Sequence, residues 1–281
     1  MHPADVGKGG GMTSDQNPAT NAVPQDSATL TSGARMPLLG FGTWQIKGST
    51  ATAAVRAALQ AGYRHLDTAT VYGNEKQVGA GLADSGVRRD EVFLTTKCPP
   101  RNAGREQDTL RTSLDALGTD HIDLWLIHWP GGAGADLGIW RAFVDARDQG
   151  LTRSIGVSNY SLDQVDELTK ETGETPAVNQ VEWSPLLFDR AVLDGHRERG
   201  VVLEGYSALR GGTLDHPVIR EVAKRHDRST AQVIVRWHLE HGVVVIPKSE
   251  KEERIVANAQ VGDFSLSEQD MAEIDALGRP S

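Results

Sequence analysis

The chain has 281 residues, 38% of them hydrophobic, with a formal net charge of -9 and a pI near 5.5, enough apolar content for one large core or two modest ones. The acidic balance argues against a duplex nucleic-acid surface, because phosphate affinity comes from clustered Lys and Arg. A single cysteine, Cys98, excludes an internal disulfide framework and a Cys-based metal cluster and fits a reducing cytoplasm, and no run approaches the ~18 apolar residues of a membrane span.

Residues 1–27 are rich in Gly, Asp, Asn, Thr and Pro, show no apolar period or apolar leader, and are expected to be a disordered tail. Within them, Lys8-Gly9-Gly10-Gly11 lacks the flanking strand and helix of a phosphate loop. Residues 28–281 are expected to form a single domain, starting with a hairpin over Ala28 to Leu39 that turns at Ser32-Gly33.

Strands and helices then alternate. Pro37 to Thr43 precedes a helix over Ala51 to Ala61, and Arg64 to Asp67 precedes one from Glu75. Val92 to Lys97 precedes Gln107 to Leu117, Ile122 to His128 precedes Leu137 to Gln149, and Ser154 to Val157 precedes Ser161 to Thr172. Ala177 to Val181 leads to Asp189 to Arg199, and Val201 to Gly205 leads to two helices, Pro217 to His226 and Thr230 to His241. Val243 to Ile246 leads to Lys251 to Asn258, and Glu268 to Leu277 is a final helix.

Eight short β-branched runs alternating with helices describe parallel strands covered on both faces, and the length suits a (β/α)₈ TIM barrel with an N-terminal hairpin and extra helices. An open doubly wound sheet would bring a G-x-G-x-x-G turn after its first strand, and Gly40-Phe41-Gly42-Thr43-Trp44-Gln45 lacks the third glycine.

In a barrel the C-terminal strand ends converge on one mouth. There the second strand ends at Asp67 with Tyr72 just beyond, the third at Lys97 and the fourth at His128. Each alone could be a cap, a packed ring or a solvated amine; together they make a proton-transfer set. A phenol with its usual pKa near 10 is a weak donor at neutral pH. An ammonium ~4 Å away in an effective dielectric of about 20 stabilises phenolate by roughly 4 kcal/mol, so Lys97 is expected to tune Tyr72 downward. Asp67 would keep Lys97 charged, and His128 would hydrogen-bond and orient a substrate oxygen. No nucleophile–base pair and no metal-binding pattern appears.

The segments Gly62-Tyr63-Arg64-His65-Leu66-Asp67-Thr68-Ala69, Tyr72-Gly73-Asn74-Glu75, Thr95-Thr96-Lys97 and Ile127-His128-Trp129-Pro130 resemble, in order and spacing, the catalytic segments of the aldo-keto reductase family, and the likeness runs from about residue 28 to 281. It is closest to the bacterial branch that includes diketogluconate-type reductases. The resemblance implies Asp67, Tyr72, Lys97 and His128 as a catalytic tetrad with Tyr72 the general acid, and a nicotinamide cofactor, NADPH, bound without a Rossmann motif. It further implies Gly42, Thr43 and Trp44 beside the cofactor, Ser158, Asn159 and Gln180 on its carboxamide, and Tyr206 stacked on its ring. Ser207 and Leu209 would flank the pyrophosphate, and Lys248, Ser249, Arg254 and Asn258 the adenosine end with its 2'-phosphate. Ala257 stands where many members carry Glu, which puts one adenine contact in doubt.

By the same resemblance Trp44, Tyr72, His128 and Trp129 would line the substrate pocket. The short glycine-rich loop Gly131-Gly132-Ala133-Gly134 and the few residues after the last helix lead to the expectation of an open, permissive mouth for small carbonyl compounds. The implied protein is a cytoplasmic, monomeric NADPH-dependent carbonyl reductase with no nucleic-acid or membrane partner. A non-catalytic nucleotide-binding redox sensor is the alternative, against which the complete tetrad argues.

Overall fold

The computed structural model describes residues 23–132 and 134–278. The chain begins with β1 (Ser27–Thr29) and β2 (Arg35–Pro37), then β3 (Phe41–Gly42), α1 (Gly48–Gln60), β4 (His65–Asp67), α2 (Glu75–Ala83), β5 (Phe93–Cys98) and α3 (Glu106–Leu117). It continues through β6 (Ile122–Ile127), α4 (Ala135–Asp148), β7 (Thr152–Ser158), α5 (Leu162–Thr172), β8 (Val178–Glu182), α6 (Arg190–Glu198) and β9 (Val202–Tyr206). The last elements are α7 (Pro217–Arg225), α8 (Thr230–Glu240), β10 (Val244–Val245), α9 (Glu252–Ala259) and α10 (Glu268–Asp275).

Strands β3 to β10 form one parallel sheet in chain order. It closes on itself where Leu39 bridges Val245, with the Gly40 amide donating to the Val245 carbonyl at 2.9 Å and the Val245 amide to Leu38 at 2.8 Å. The fold is therefore a (β/α)₈ barrel. Closure leaves no sheet edge, and strands β5 and β6 are buried at every position, as double-sided covering requires. Among the described residues no helix is long and apolar enough to cross a membrane.

The β1–β2 hairpin pairs Ala28 with Met36 and turns through Gly33 at φ 82°. Its Ser32 hydroxyl lies 2.6 Å from that of Ser154, near the start of β7, so the hairpin touches the end of the barrel opposite the mouth. Two boundaries differ from the sequence reading. The expected strand over Pro37 to Thr43 is divided: Pro37 ends the hairpin, and only Phe41–Gly42 is regular strand, because residues 38–40 form the closing seam. Of the expected tail, residues 1–22 lie outside the described residues, whereas Val23 is buried against Gly62 and Ser27 opens β1.

Glycine sets how closely the outer helices approach. A methyl group at Gly79 of α2 would lie 2.5 Å from the carbonyl oxygen of Leu117 at the end of α3, and backbone there cannot swing aside. Gly79→Ala gains helix propensity but forces the two helices apart, a net cost of about 1–3 kcal/mol. Calorimetry should show Tm lowered by about 3–10 °C for a domain of this size; an unchanged Tm would show that the α2–α3 approach is not tight.

Candidate active site

Strand register assembles the site before side-chain chemistry enters. Asp67 on β4 pairs with Thr95 on β5, and alternation puts Lys97, two residues on, on the same inward face. Lys97 is fully buried, and its ammonium donates to both oxygens of Asp67 at 2.7 Å and to the Thr68 carbonyl at 2.8 Å. Those three acceptors satisfy all its N–H donors. Burial pulls the ammonium toward its neutral form, but the charge of Asp67, with help from Tyr72 and from the hydrogen bond to Asp67, outweighs it and raises the Lys97 pKa.

Tyr72 ends the 3₁₀ turn Thr70–Tyr72, which Gly73 closes at φ 61°. The turn is tied down on several sides. Thr70 donates to the Lys97 carbonyl at 2.8 Å, the Lys47 ammonium donates to the Tyr72 carbonyl, and Asn74 donates to the carbonyls of Thr43 and Ile46 at 2.9 Å each. This fixation brings the Tyr72 ring 5.1 Å from the Lys97 ammonium and 5.7 Å from the His128 ring, edge to face.

The charge balance at Tyr72 runs opposite to the sequence expectation. Burial raises the phenol pKa by more than Lys97 lowers it, and Asp67 adds to the rise, so the net shift is upward. Lys97 does pull in the expected direction, but loss of solvent around the phenolate dominates. Tyr72 is thus held firmly protonated. Burial, then the charges of Lys97 and Arg101, push His128 down to about 3, so its imidazole is neutral, and its buried Nδ1 has no hydrogen-bond partner among the described residues.

The remaining candidates form a rim. Thr43 is buried and bonds the Asp67 carbonyl through Oγ1 at 2.9 Å, while a side chain at Gly42 would strike the Ile246 carbonyl at 2.8 Å. Trp44 and Trp129 are 42% and 47% exposed at the mouth; the Arg210 guanidinium covers one face of Trp44 at 4.7 Å, and the His128 ring stacks on Trp129. Ser158 Oγ donates to the Gln180 carbonyl at 2.8 Å and accepts from Asn159 at 3.0 Å, and the Tyr206 hydroxyl donates to Asn159 Oδ1 at 2.8 Å. Gln180 is engaged inward, its amide donating to Asp67 Oδ2 at 2.8 Å. Asn159 and Ser207 hold φ of 64° and 59°, left-handed values that non-glycine residues adopt mainly where the surroundings enforce them. Leu209 is half-buried beside them.

Lys248 and Ser249 occupy the turn from β10 into α9, Arg254 and Asn258 lie on α9, and the turn joins the mouth where the Gly42 amide donates to the Pro247 carbonyl at 3.2 Å. Lys248 is ion-paired with Glu250 at 2.9 Å, Ser249 and Asn258 are buried, and Arg254 is exposed. Four residues of the site had no role in the sequence reading: Thr68, Asn74, His65 and Glu204. His65, Thr68 and Asn74 stood inside quoted motifs, and Glu204 was visible as an acid within the apolar run Val201 to Gly205.

Comparison with known proteins gives a consistent picture. The sequence model described as the aldo/keto reductase family matches residues 38–279. The chain is 43% identical over 259 residues to a glyoxal reductase of Bacillus subtilis, covering 91% of this chain and 94% of that protein. It is 41% identical over 256 residues to a 9,11-endoperoxide prostaglandin H2 reductase of Trypanosoma cruzi, covering 89% and 90%. The crystal structure of an aldo/keto reductase from Brucella melitensis superposes with a TM-score of 0.88 at 40% identity, covering 91% of this chain and 98% of that one.

Proposed function

This chain belongs to the aldo/keto reductase family of oxidoreductases, and from that premise we propose that it is an NADPH-dependent reductase of aldehydes and ketones with Tyr72 as its general acid. The observation that carries the proposal is the buried Lys97–Asp67 pair facing Tyr72 and a neutral His128 at one mouth.

When bound, a reduced nicotinamide supplies the hydride to the carbonyl carbon. The residues present fit such a group. Asn159 and Ser158 are held with amide and hydroxyl together, and Tyr206 offers a half-buried ring anchored through its hydroxyl. His128, being neutral, can donate one hydrogen bond to the substrate oxygen and set its direction without taking its proton. Tyr72 then delivers the proton to the oxygen as negative charge develops there. The phenolate left behind is stabilised by Lys97, whose charge Asp67 maintains through the reaction. The partly exposed rings of Trp44 and Trp129 give the mouth apolar walls. One relative is named for glyoxal and another for a prostaglandin endoperoxide, which supports a permissive entrance.

Tyr72→Phe keeps the ring and removes the acid. Cofactor affinity should survive while kcat falls by about 10²–10⁴, the usual worth of a general acid. If this variant keeps near-normal kcat while His128→Gln abolishes turnover, the proton comes from the imidazole instead.

NADPH preference rests on Lys248, Ser249 and Arg254. Charge-assisted hydrogen bonds are worth roughly 1.5–3 kcal/mol each, but Lys248 must exchange Glu250 for the phosphate, so its differential contribution is smaller than that of Arg254. Fluorescence titration of Lys248→Ala/Arg254→Ala should show NADPH affinity reduced by more than about tenfold with NADH affinity nearly unchanged. Equal losses for both cofactors would remove the basis for the preference.

A further inference from the structure

Glu204 lies on β9 two residues before Tyr206 and is fully buried. A side chain at Gly205 would meet Trp183 at 3.0 Å and His238 of α8 at 3.3 Å, so Gly205 faces the helix layer and Glu204, its neighbour, faces the barrel interior. Neither carboxyl oxygen has a hydrogen-bond partner among the described residues. A buried carboxylate in that condition is strongly disfavoured unless a cation answers it.

The groups around it are few and of mixed sign. From β4 come Asp67 and His65, whose Nε2 lies 3.7 Å from Glu204 Oε1; from β5 comes Lys97. The registered neighbours are Gln180 on β8 and the apolar Val244 on β10. His65 supplies no counter-charge. Burial and then Lys97 push its imidazole down to about 3, and its Nε2 already sits 3.1 Å from the Thr95 hydroxyl. Lys97 is committed to Asp67 and Thr68. Burial first, then repulsion from Asp67, push the Glu204 carboxyl up to about 8, against the pull of Lys97. Its charge, when present, acts on the Tyr72 phenol in the direction that holds the proton there.

We infer that Glu204 is a positioning residue of the proton-transfer site: uncharged, it leaves Asp67 as the counter-charge of Lys97, and on ionising it adds a second negative charge to the Asp67–Lys97 group that keeps the proton on Tyr72. The inference rests on the reading of Tyr72 as the acid. Shut inside the barrel, Glu204 acts only through the Asp67–Lys97 group and Tyr72.

Glu204→Gln mimics the neutral carboxyl in shape and cannot ionise. Reductive kcat, measured at saturating cofactor and substrate from about pH 6 to pH 10, should fall roughly tenfold through pH ~8 in the wild type and stay level there in the variant. The same falling limb in both proteins would overturn the inference. A second arm needs neither cofactor nor substrate. The folded-state pKa lies above the ordinary value of 4.5, so the stability contributed by Glu204 is complete below about that pH and is lost as pH rises to about 8. Wild-type Tm should therefore drop relative to Glu204→Gln across that window and run parallel above it. A constant difference would overturn the inference even if activity were normal. If the Tm difference moves as stated but neither protein reduces any carbonyl, the functional reading has failed and the charge state of Glu204 has not.

Discussion

Everything at the mouth depends on one charged pair kept out of water. A buried ammonium costs several kcal/mol in desolvation and survives only where its donors and charge are answered. Here Lys97 meets both Asp67 oxygens and the Thr68 carbonyl, and Asp67 in turn accepts from Gln180. The pair needs two adjacent parallel strands in a fixed register, so the barrel's hydrogen-bond ladder is as much part of the site as the side chains are. Removing either partner alone leaves the other uncompensated, which makes the arrangement all-or-nothing.

Around that pair the chain spends its local interactions on immobilising loops. Asn74 ties the Tyr72 turn to the carbonyls of Thr43 and Ile46, and Thr68 donates to Asn74, so the loops after β3 and β4 move together. At the far side of the mouth, Asn159 and Ser207 adopt left-handed backbone just beyond β7 and β9, and the Tyr206–Asn159 hydrogen bond links the two. Reacting groups need alignment to within about half an ångström, and cross-linked turns of this kind hold side chains that closely.

Much of this was legible in the sequence. The apolar β-branched runs named the barrel strands, and residues at their ends named the mouth, because strand alternation and parallel topology leave few alternatives. The closing seam at residues 38–40 was not legible, since it consists of single bridges instead of a strand pattern. Nor was the protonation of Tyr72: the attraction of Lys97 follows from residue types, but the competing desolvation depends on how completely the phenol is enclosed. Glu204 and the inward turn of Gln180 escaped for a related reason. Spacing tells which face a residue takes, but which polar groups meet across the barrel depends on its closure.

Whether Asp67 keeps the buried Lys97 charged is read by ¹⁵N NMR of the Lys97 side chain in the wild type and in Asp67→Asn. The ammonium signature should persist beyond the ordinary lysine range in the wild type and be lost at lower pH in the variant, where burial acts without the opposing carboxylate. An ammonium that persists unchanged in Asp67→Asn would contradict that role of Asp67.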